Sequence, residues 1–87
     1  MKVARSMPRY YFDMREGDEI APDEEGMELS TMEAVEEEAA HTLADMARDA
    51  MRSRSTDGAG YQMSIEVRSD AGPVLQVNFT FEVQHKR

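Results

Sequence analysis

Two stretches near the end of the chain alternate apolar and polar side chains residue by residue, and this pattern constrains the fold more than any other. A period of two places successive side chains on opposite faces of a strand. The alternation therefore predicts two antiparallel strands with one face against a core and the other in water. Residues 69–73, Ser-Asp-Ala-Gly-Pro, are predicted to form the hairpin loop between them. The core-facing residues are Tyr61, Met63, Ile65 and Val67 in the first strand and Leu75, Val77, Phe79, Phe81 and Val83 in the second.

The middle of the chain has the periodicity of one amphipathic helix. Ser30 followed by Glu33 fits a capping box, in which the serine hydroxyl accepts a hydrogen bond from the N3 amide. Acidic residues crowd the first half of the segment and arginines the second, which complements the helix dipole. A helix of about 22 residues, ending near Ser53, is about 33 Å long and is predicted to cover the dry face of the sheet. Its apolar stripe consists of Met32, Val35, Ala39, Leu43, Met46, Ala47, Ala50 and Met51.

The first third of the chain predicts a strand and a short returning strand. Residues 9–14, Arg-Tyr-Tyr-Phe-Asp-Met, are rich in aromatic side chains that favour a pleated surface. Gly17 marks a turn, since glycine tolerates positive φ. Ile20 is the anchor of a returning strand that Pro22 must end, because proline has no amide for a ladder. Residues 27–29 alternate again, either as a further edge segment or as the lead-in to the helix.

These elements predict an α+β fold, an antiparallel sheet of about three to four strands with one long helix packed on one face. The order along the chain is strand, short strand, helix, strand, strand. Because the long last strand has two inward phenylalanines, we expect it at the centre of the sheet. Residues 1–6 are predicted to be a flexible N-terminal extension, 7–84 a single α+β domain and 85–87 a C-terminal tail. Either Met1 or Met7 is the native start.

Composition excludes several classes of protein. Ten basic residues against eighteen acidic ones give a formal charge of −8, which argues against a partner bound through nucleic-acid phosphates. The absence of cysteine removes disulfides, thiolate metal sites and cysteine nucleophiles. No apolar run approaches the roughly 20 residues that span a bilayer, and no hydrophobic segment follows the cationic start as a secretory signal requires. We therefore predict a cytoplasmic protein without a membrane partner.

The acidic stretch from Asp13 to Glu28 leaves two interpretations open. Hard cations bind carboxylate oxygens, so the stretch is a candidate cation or small-ligand site. Its spacing does not match an EF-hand loop, however, and charge runs usually face water. A solvated loop that keeps the domain soluble fits the same residues. The weak metal candidates are Asp18, Asp23, Glu24 and Glu25.

Two surfaces are candidates for binding a protein partner. The polar face of the predicted sheet is nearly uncharged in its middle, and this face or an unprotected edge strand is suited to pairing with another copy. Acidic side chains on the helix are suited instead to a basic partner. A chain this small gains stability by doubling its core, so a homodimer is as good a hypothesis as a monomer. The candidate partner-binding residues are Tyr11, Gln76, Asn78, Thr80, Glu36 and Glu37.

Several segments together resemble a known family. They are MPRYYFD at residues 7–13, DEEG at 23–26, EEAA at 37–40, IEVR at 65–68 and GPVL at 72–75. From Met7 to about Val83 the chain resembles a family of small bacterial proteins, common in alphaproteobacteria and known only as a domain of unknown function. The resemblance implies a bacterial protein and no established activity. A weaker likeness, from about Tyr10 to Asp49, is to HicB-like antitoxins, although their Pro-Gly-Cys-type turn is missing here.

No residue pattern in the chain predicts catalysis. The serines lack the G-x-S-x-G context of a nucleophile, and the glycines lack the spacing that cradles phosphates. We therefore predict a non-enzymatic protein with no catalytic residues and no cofactor. The leading hypothesis is an uncharacterised small acidic domain that acts as a protein-interaction or regulatory module, with self-association left open. The alternative is a cation- or small-ligand-binding domain that uses the acidic loop from Asp13 to Glu28.

Overall fold

The computed structural model describes residues 8–53, 61–82 and 84–86. The predicted α+β fold, with one helix on an antiparallel sheet, is confirmed, but the sheet has five strands instead of three to four, because a second short strand precedes the helix. The predicted extension at residues 1–6 lies outside the described residues. Within the described ranges, no helix is long and apolar enough to cross a membrane. The elements are β1 (Arg9–Glu16), β2 (Glu19–Ala21), β3 (Met27–Glu28), α1 (Met32–Ser53), β4 (Tyr61–Ser69) and β5 (Gly72–Phe81).

The sheet follows the order β2-β1-β4-β5, and all its pairs are antiparallel. β2 and β3 both pair with the same side of β1, because β4 occupies the other side. β2 pairs at Met14 and β3 pairs at Tyr10. Residues 27–29 thus begin with an edge strand, the first of the two alternatives that the sequence left open. The expectation that the last strand is central is wrong. Among the described residues β5 pairs with β4 alone, and the inner strands are β1 and β4.

The core lies between α1 and one face of the sheet. Val35, Ile65 and Val67 are its largest fully buried side chains, and burial of each contributes about 1.5–3 kcal/mol. Phe79 packs against the core but is only partly buried, because its strand lies at the edge of the sheet. The buried core positions match the predicted inward periodicities. They are Phe12, Val35, Ala39, Leu43, Ala47, Met63, Ile65 and Val67.

The helix begins one residue later than the predicted capping box requires. Thr31, not Ser30, is the N-cap, because Thr31 Oγ1 accepts a hydrogen bond from the Ala34 amide at 3.0 Å. The Thr31 carbonyl accepts the amide of Val35 at 3.2 Å, the first bond of the helix. Glu33 still lies in the first turn, where its charge complements the helix dipole.

The β4–β5 hairpin turns more tightly than predicted. Ser69 pairs with Gly72, so only two residues form the loop instead of the five at 69–73. Gly72 has a φ of 129°, in a region that favours glycine. The pairing shifts register between Val67 and Arg68. On the side of this shift away from the hairpin turn, residues 75–81 pair regularly with β4. The irregularity is therefore confined to the hairpin end of β5.

We expect Thr31→Ala to destabilise the protein by about 1 kcal/mol, because the Ala34 amide loses its cap acceptor. Ser30→Ala is the matched control, and its free energy of unfolding should change by less than about 0.5 kcal/mol. Urea unfolding followed by circular dichroism measures both changes. A larger loss in Ser30→Ala than in Thr31→Ala would contradict the observed start of α1.

Candidate functional site

A cluster of charged side chains on the open face of the sheet joins the acidic loop to β1 and β4. Asp13 lies on the face opposite the helix, yet only 8% of it is exposed. Arg68 Nε donates to Asp13 Oδ2 at 2.8 Å, and Arg68 Nη2 donates to the Asp23 carbonyl at 3.0 Å. The hydrogen bond to Asp13 raises the pKa of the Arg68 guanidinium. The same guanidinium lies 4.5 Å from the centroid of the Tyr11 ring, a cation–π contact.

Asp23 is the residue around which the acidic loop folds. Its carboxylate accepts hydrogen bonds from the amides of Phe12 at 3.1 Å, Glu25 at 3.1 Å and Gly26 at 3.2 Å. Phe12 lies in the gap between the part of β1 that pairs with β2 and the part that pairs with β3. The Asp23 carboxylate therefore accepts the Phe12 amide in place of a carbonyl from a neighbouring strand. Partial burial alone would raise the pKa of Asp23. The three amides and the nearby arginine outweigh it and lower the pKa below its ordinary value of 3.8.

Gly26 closes the loop against β1. Its φ is 72°, a left-handed conformation that side chains disfavour. A Cβ at this position would lie 2.9 Å from Tyr11 Cε2 and 3.0 Å from the Tyr10 carbonyl oxygen. Arg9 Nη1 donates to the Glu25 carbonyl at 2.7 Å and holds the same end of the loop. Both backbone conformation and available space therefore require glycine here.

The weak metal candidates do not converge on one point. Asp23 uses both carboxylate oxygens for backbone amides, whereas Asp18, Glu24 and Glu25 are exposed. In the part of the chain that the structure describes, no group of three or more histidine, aspartate or glutamate side chains is placed to hold a metal ion. The acidic loop is an ordered element that is largely exposed to water, and cation binding there stays a hypothesis.

The predicted partner-binding residues lie on two separate surfaces. Those on the open face of the sheet are Tyr11, Gln76, Asn78 and Thr80, and those on α1 are Glu36 and Glu37. Gln76 Nε2 donates to Asn78 Oδ1 at 2.7 Å. Tyr11 lies on β1, two strands away from β5, in contact with Arg68. Because α1 packs on the opposite face of the sheet, the structure does not unite these residues in one site.

Beside the edge of the sheet lies an apolar groove that sequence reasoning missed, because that reasoning placed β5 at the centre. Within the described ranges, no strand pairs with the outer side of β5. An open groove of about 600 Å³ lies between α1 and this strand. It is lined by Ala40, Leu43, Ala44, Ala47, Arg48 and Met51 of α1 and by Val77, Asn78 and Phe79 of β5. The available sequence signal was the absence of charge from 72–81 in a chain with 32% charged residues.

The opposite edge of the sheet is protected against pairing. β2 and β3 have three and two residues, and Pro22 and a run of carboxylates separate them. Short strands, proline and charge are the devices by which natural sheets prevent edge-to-edge association. β5 has ten residues and includes one such device, Pro73 at its beginning. The two edges therefore differ in what they can bind.

In the ranges that the structure describes, these observations define a class of protein, a small α+β domain with one helix on an antiparallel sheet, an ordered acidic loop and one long unpaired edge. Residues 9–80 match the sequence model of a family described as a domain of unknown function, DUF6894. The chain belongs to this family, which confirms the predicted resemblance to a family of unknown function. No curated protein and no solved structure matches the chain. The weaker likeness to HicB-like antitoxins stays a hypothesis.

We expect Gly26→Ala to destabilise the protein more than Gly17→Ala. Both glycines have positive φ, 72° and 61°, so either alanine strains the backbone by about 1 kcal/mol. Nothing lies within 4 Å of a Cβ at Gly17, whereas at Gly26 the new atom meets β1. We therefore expect a total loss of about 3 kcal/mol at Gly26. Equal free energies of unfolding for the two variants would show that the loop does not need this close approach.

We expect the contribution of Asp23 to stability to disappear in acid. Because folding lowers its pKa below 3.8, the contribution is complete above that value and is lost as the pH falls through the folded-state pKa. Asp23→Asn should destabilise the protein at neutral pH by roughly 1–3 kcal/mol, since an amide offers one acceptor oxygen where the carboxylate offers two.

Urea unfolding of both proteins at a series of pH values tests this dependence. The difference between them should shrink as the pH falls below about 3.8. Glu24→Gln, at an exposed position in the same loop, is the control and should show no such difference. If the difference in the free energy of unfolding between Asp23→Asn and the parent protein does not change with pH, the expectation is contradicted.

Proposed function

We propose that this domain is a non-catalytic protein-interaction module that binds a partner strand at the free edge of β5. The observation that supports this most is a ten-residue edge strand without a charged side chain. Extended segments add to such edges through main-chain hydrogen bonds, and adjacent pockets select their side chains. The proposal places the domain in the cytoplasm, in keeping with a sequence without cysteine.

The backbone of β5 is suited to strand addition over most of its length. Along an antiparallel strand, backbone groups point alternately to the two sides, so half of those of β5 face away from β4. Pro73 and the register shift lie at the hairpin end. Residues 75–81 remain as a regular strand of about 23 Å, which is long enough to pair with a whole partner strand.

The apolar groove supplies selectivity beside this backbone surface. Val77, Phe79 and Met51 are only partly buried and line it. Every second side chain of an added strand would point toward α1, since side chains alternate between the faces of a sheet. A partner with apolar residues at alternate positions would cover these side chains and remove their surface from water. We therefore expect the partner segment to be amphipathic.

The main charged clusters elsewhere in the described residues have partners within the fold. Asp13 is paired with Arg68, and Asp23 is bound by three amides. Arg15 pairs with Glu66 at 2.7 Å. These contacts hold the sheet and the loop together, which favours an interaction module over the alternative of a cation-binding loop.

Photo-crosslinking in the native cell tests the proposed edge. With a photoreactive amino acid at Thr80 of the full chain, we expect a product of discrete mass, because this exposed position lies on the free edge. Asn78→Lys in the same protein should abolish the product, since lysine on an edge strand opposes pairing.

Gln62→Lys is the matched control for that experiment. Gln62 is exposed on the same face and pairs with Thr80, but it belongs to the inner strand β4. The product should persist in this variant. A second protein with the photoreactive amino acid at Glu24 in the acidic loop completes the comparison. Crosslinked products from Glu24 with none from Thr80 would overturn the proposal.

A further inference from the structure

We infer that the partner at the β5 edge is a second copy of this chain, bound about a twofold axis in an antiparallel β5–β5 pair. The inference rests on the proposed binding edge and names its occupant. A twofold axis perpendicular to the sheet joins the two sheets into one and places both helices side by side on the same face. The pair is isologous, so each copy uses the same surface.

Charge is the first reason for a second copy. A chain with a formal charge of −8 repels its own copy, so a self-association surface must either lack charge or pair opposite charges. β5 meets the first condition, because its ten residues include no charged side chain. The side of α1 that borders the groove meets the second condition.

That side of α1 is acidic toward one end and basic toward the other. Glu37, Ala40, Ala44, Arg48 and Met51 follow one another at spacings of three and four residues and form one stripe. All of them except Glu37 line the groove. A twofold axis reverses the direction of the second helix. The acidic end of each stripe therefore faces the basic end of the other, which makes the surface complementary to itself.

The proposed position of the twofold axis brings these groups into register. When the axis passes between Ala40 and Ala44, Glu37 of each copy faces Arg48 of the other. Arg48 is exposed and bonds Asp45 in its own helix at 3.2 Å through Nη1. A guanidinium has five donors, so others remain for a second carboxylate. Symmetry forms the same pair twice.

Strand spacing sets the distance between the two helices. α1 packs mainly over β4 and β5, and strands lie about 4.8 Å apart. The helix axis is therefore about one strand spacing from the twofold axis, and the two helices are about 10 Å apart. Packed helices lie about 8–10 Å apart, depending on the side chains between them. Ala40 and Ala44 are small enough to allow this approach.

The fold limits the assembly to two copies. Pairing occupies the β5 edge of both chains, and the short strands and charges of the opposite edge oppose further addition. The shared strip is about 23 Å long along the strands, up to about 33 Å long along the helices and about 15 Å deep. It buries roughly 700–1,000 Å² in total, which is the size of a weak interface. We therefore expect a closed dimer with a micromolar dissociation constant.

Sedimentation of the purified full chain tests the inference. Between roughly 1 and 200 µM, the mass should rise from 9.9 kDa to twice that value. Asn78→Lys should keep the chain monomeric. Glu37→Arg should weaken the dimer at least about tenfold, although it lowers the net negative charge, because it places two arginines opposite each other.

Two further variants show whether the charge pairing is specific. Glu38→Arg makes the same change in net charge one residue later, on the side of α1 that lies near Thr42 and the acidic loop. It should leave the dimer unchanged or slightly stronger. Combining Glu37→Arg with Arg48→Glu restores opposite charges and should recover the dimer.

The outcomes separate this inference from the proposed function. A chain that stays at 9.9 kDa throughout overturns the second copy, while a Thr80 crosslink to a different protein would still support the binding edge. A dimer that tolerates both Asn78→Lys and Glu37→Arg uses another surface and also overturns the inference. A dimer that Asn78→Lys abolishes, that Glu37→Arg weakens and that the exchange of Glu37 and Arg48 restores supports it.

Discussion

A single helix, about 10 Å across, covers only about two neighbouring strands of a sheet whose strands lie about 4.8 Å apart. In this protein α1 lies mainly over β4 and β5, where Ile65 and Val67 are fully buried in one cluster with Val35. The rest of the sheet must be completed by other means. On the β1 side the acidic loop does so. On the β5 side none of the residues that the structure describes covers the edge or the apolar groove.

The acidic loop completes β1 by polar contacts instead of a continuous strand. The Asp23 carboxylate accepts the Phe12 amide in the gap between β2 and β3. Arg68 joins β4 to the loop through Asp13 and the Asp23 carbonyl. A loop with so many carboxylates would repel itself if it had no such anchors. Asp13 of β1 and Asp23 of the loop therefore act as structural acceptors, and the exposed carboxylates of the loop keep this edge of the sheet charged.

The two edges of the sheet consequently have different physical properties. One is short, interrupted and acidic, and the other is long, regular and free of charge. An exposed edge of the second kind is an aggregation risk unless something covers it. The proposed pairing of two copies would satisfy the backbone groups of the edge and cover the groove with one interaction. In the proposed dimer the meeting surfaces are neutral or oppositely charged, which is compatible with a net charge of −8.

Periodicity alone determined the helix and the two long strands of the hairpin, because alternation and three-to-four spacing are local properties of residues such as Ile65, Val67 and Leu43. The choice between Ser30 and Thr31 as the cap needed the geometry of the first turn, since both residue types can cap a helix.

Strand order was decided only by tertiary structure. β1 and β5 have similar patterns, and which one lies inside depends on pairing between distant segments. The candidate edge could not be located without that order. Asp13 shows the same limit: its pattern predicts an acid facing water, yet it is buried because Arg68, 55 residues further along the chain, lies beside it once β1 pairs with β4.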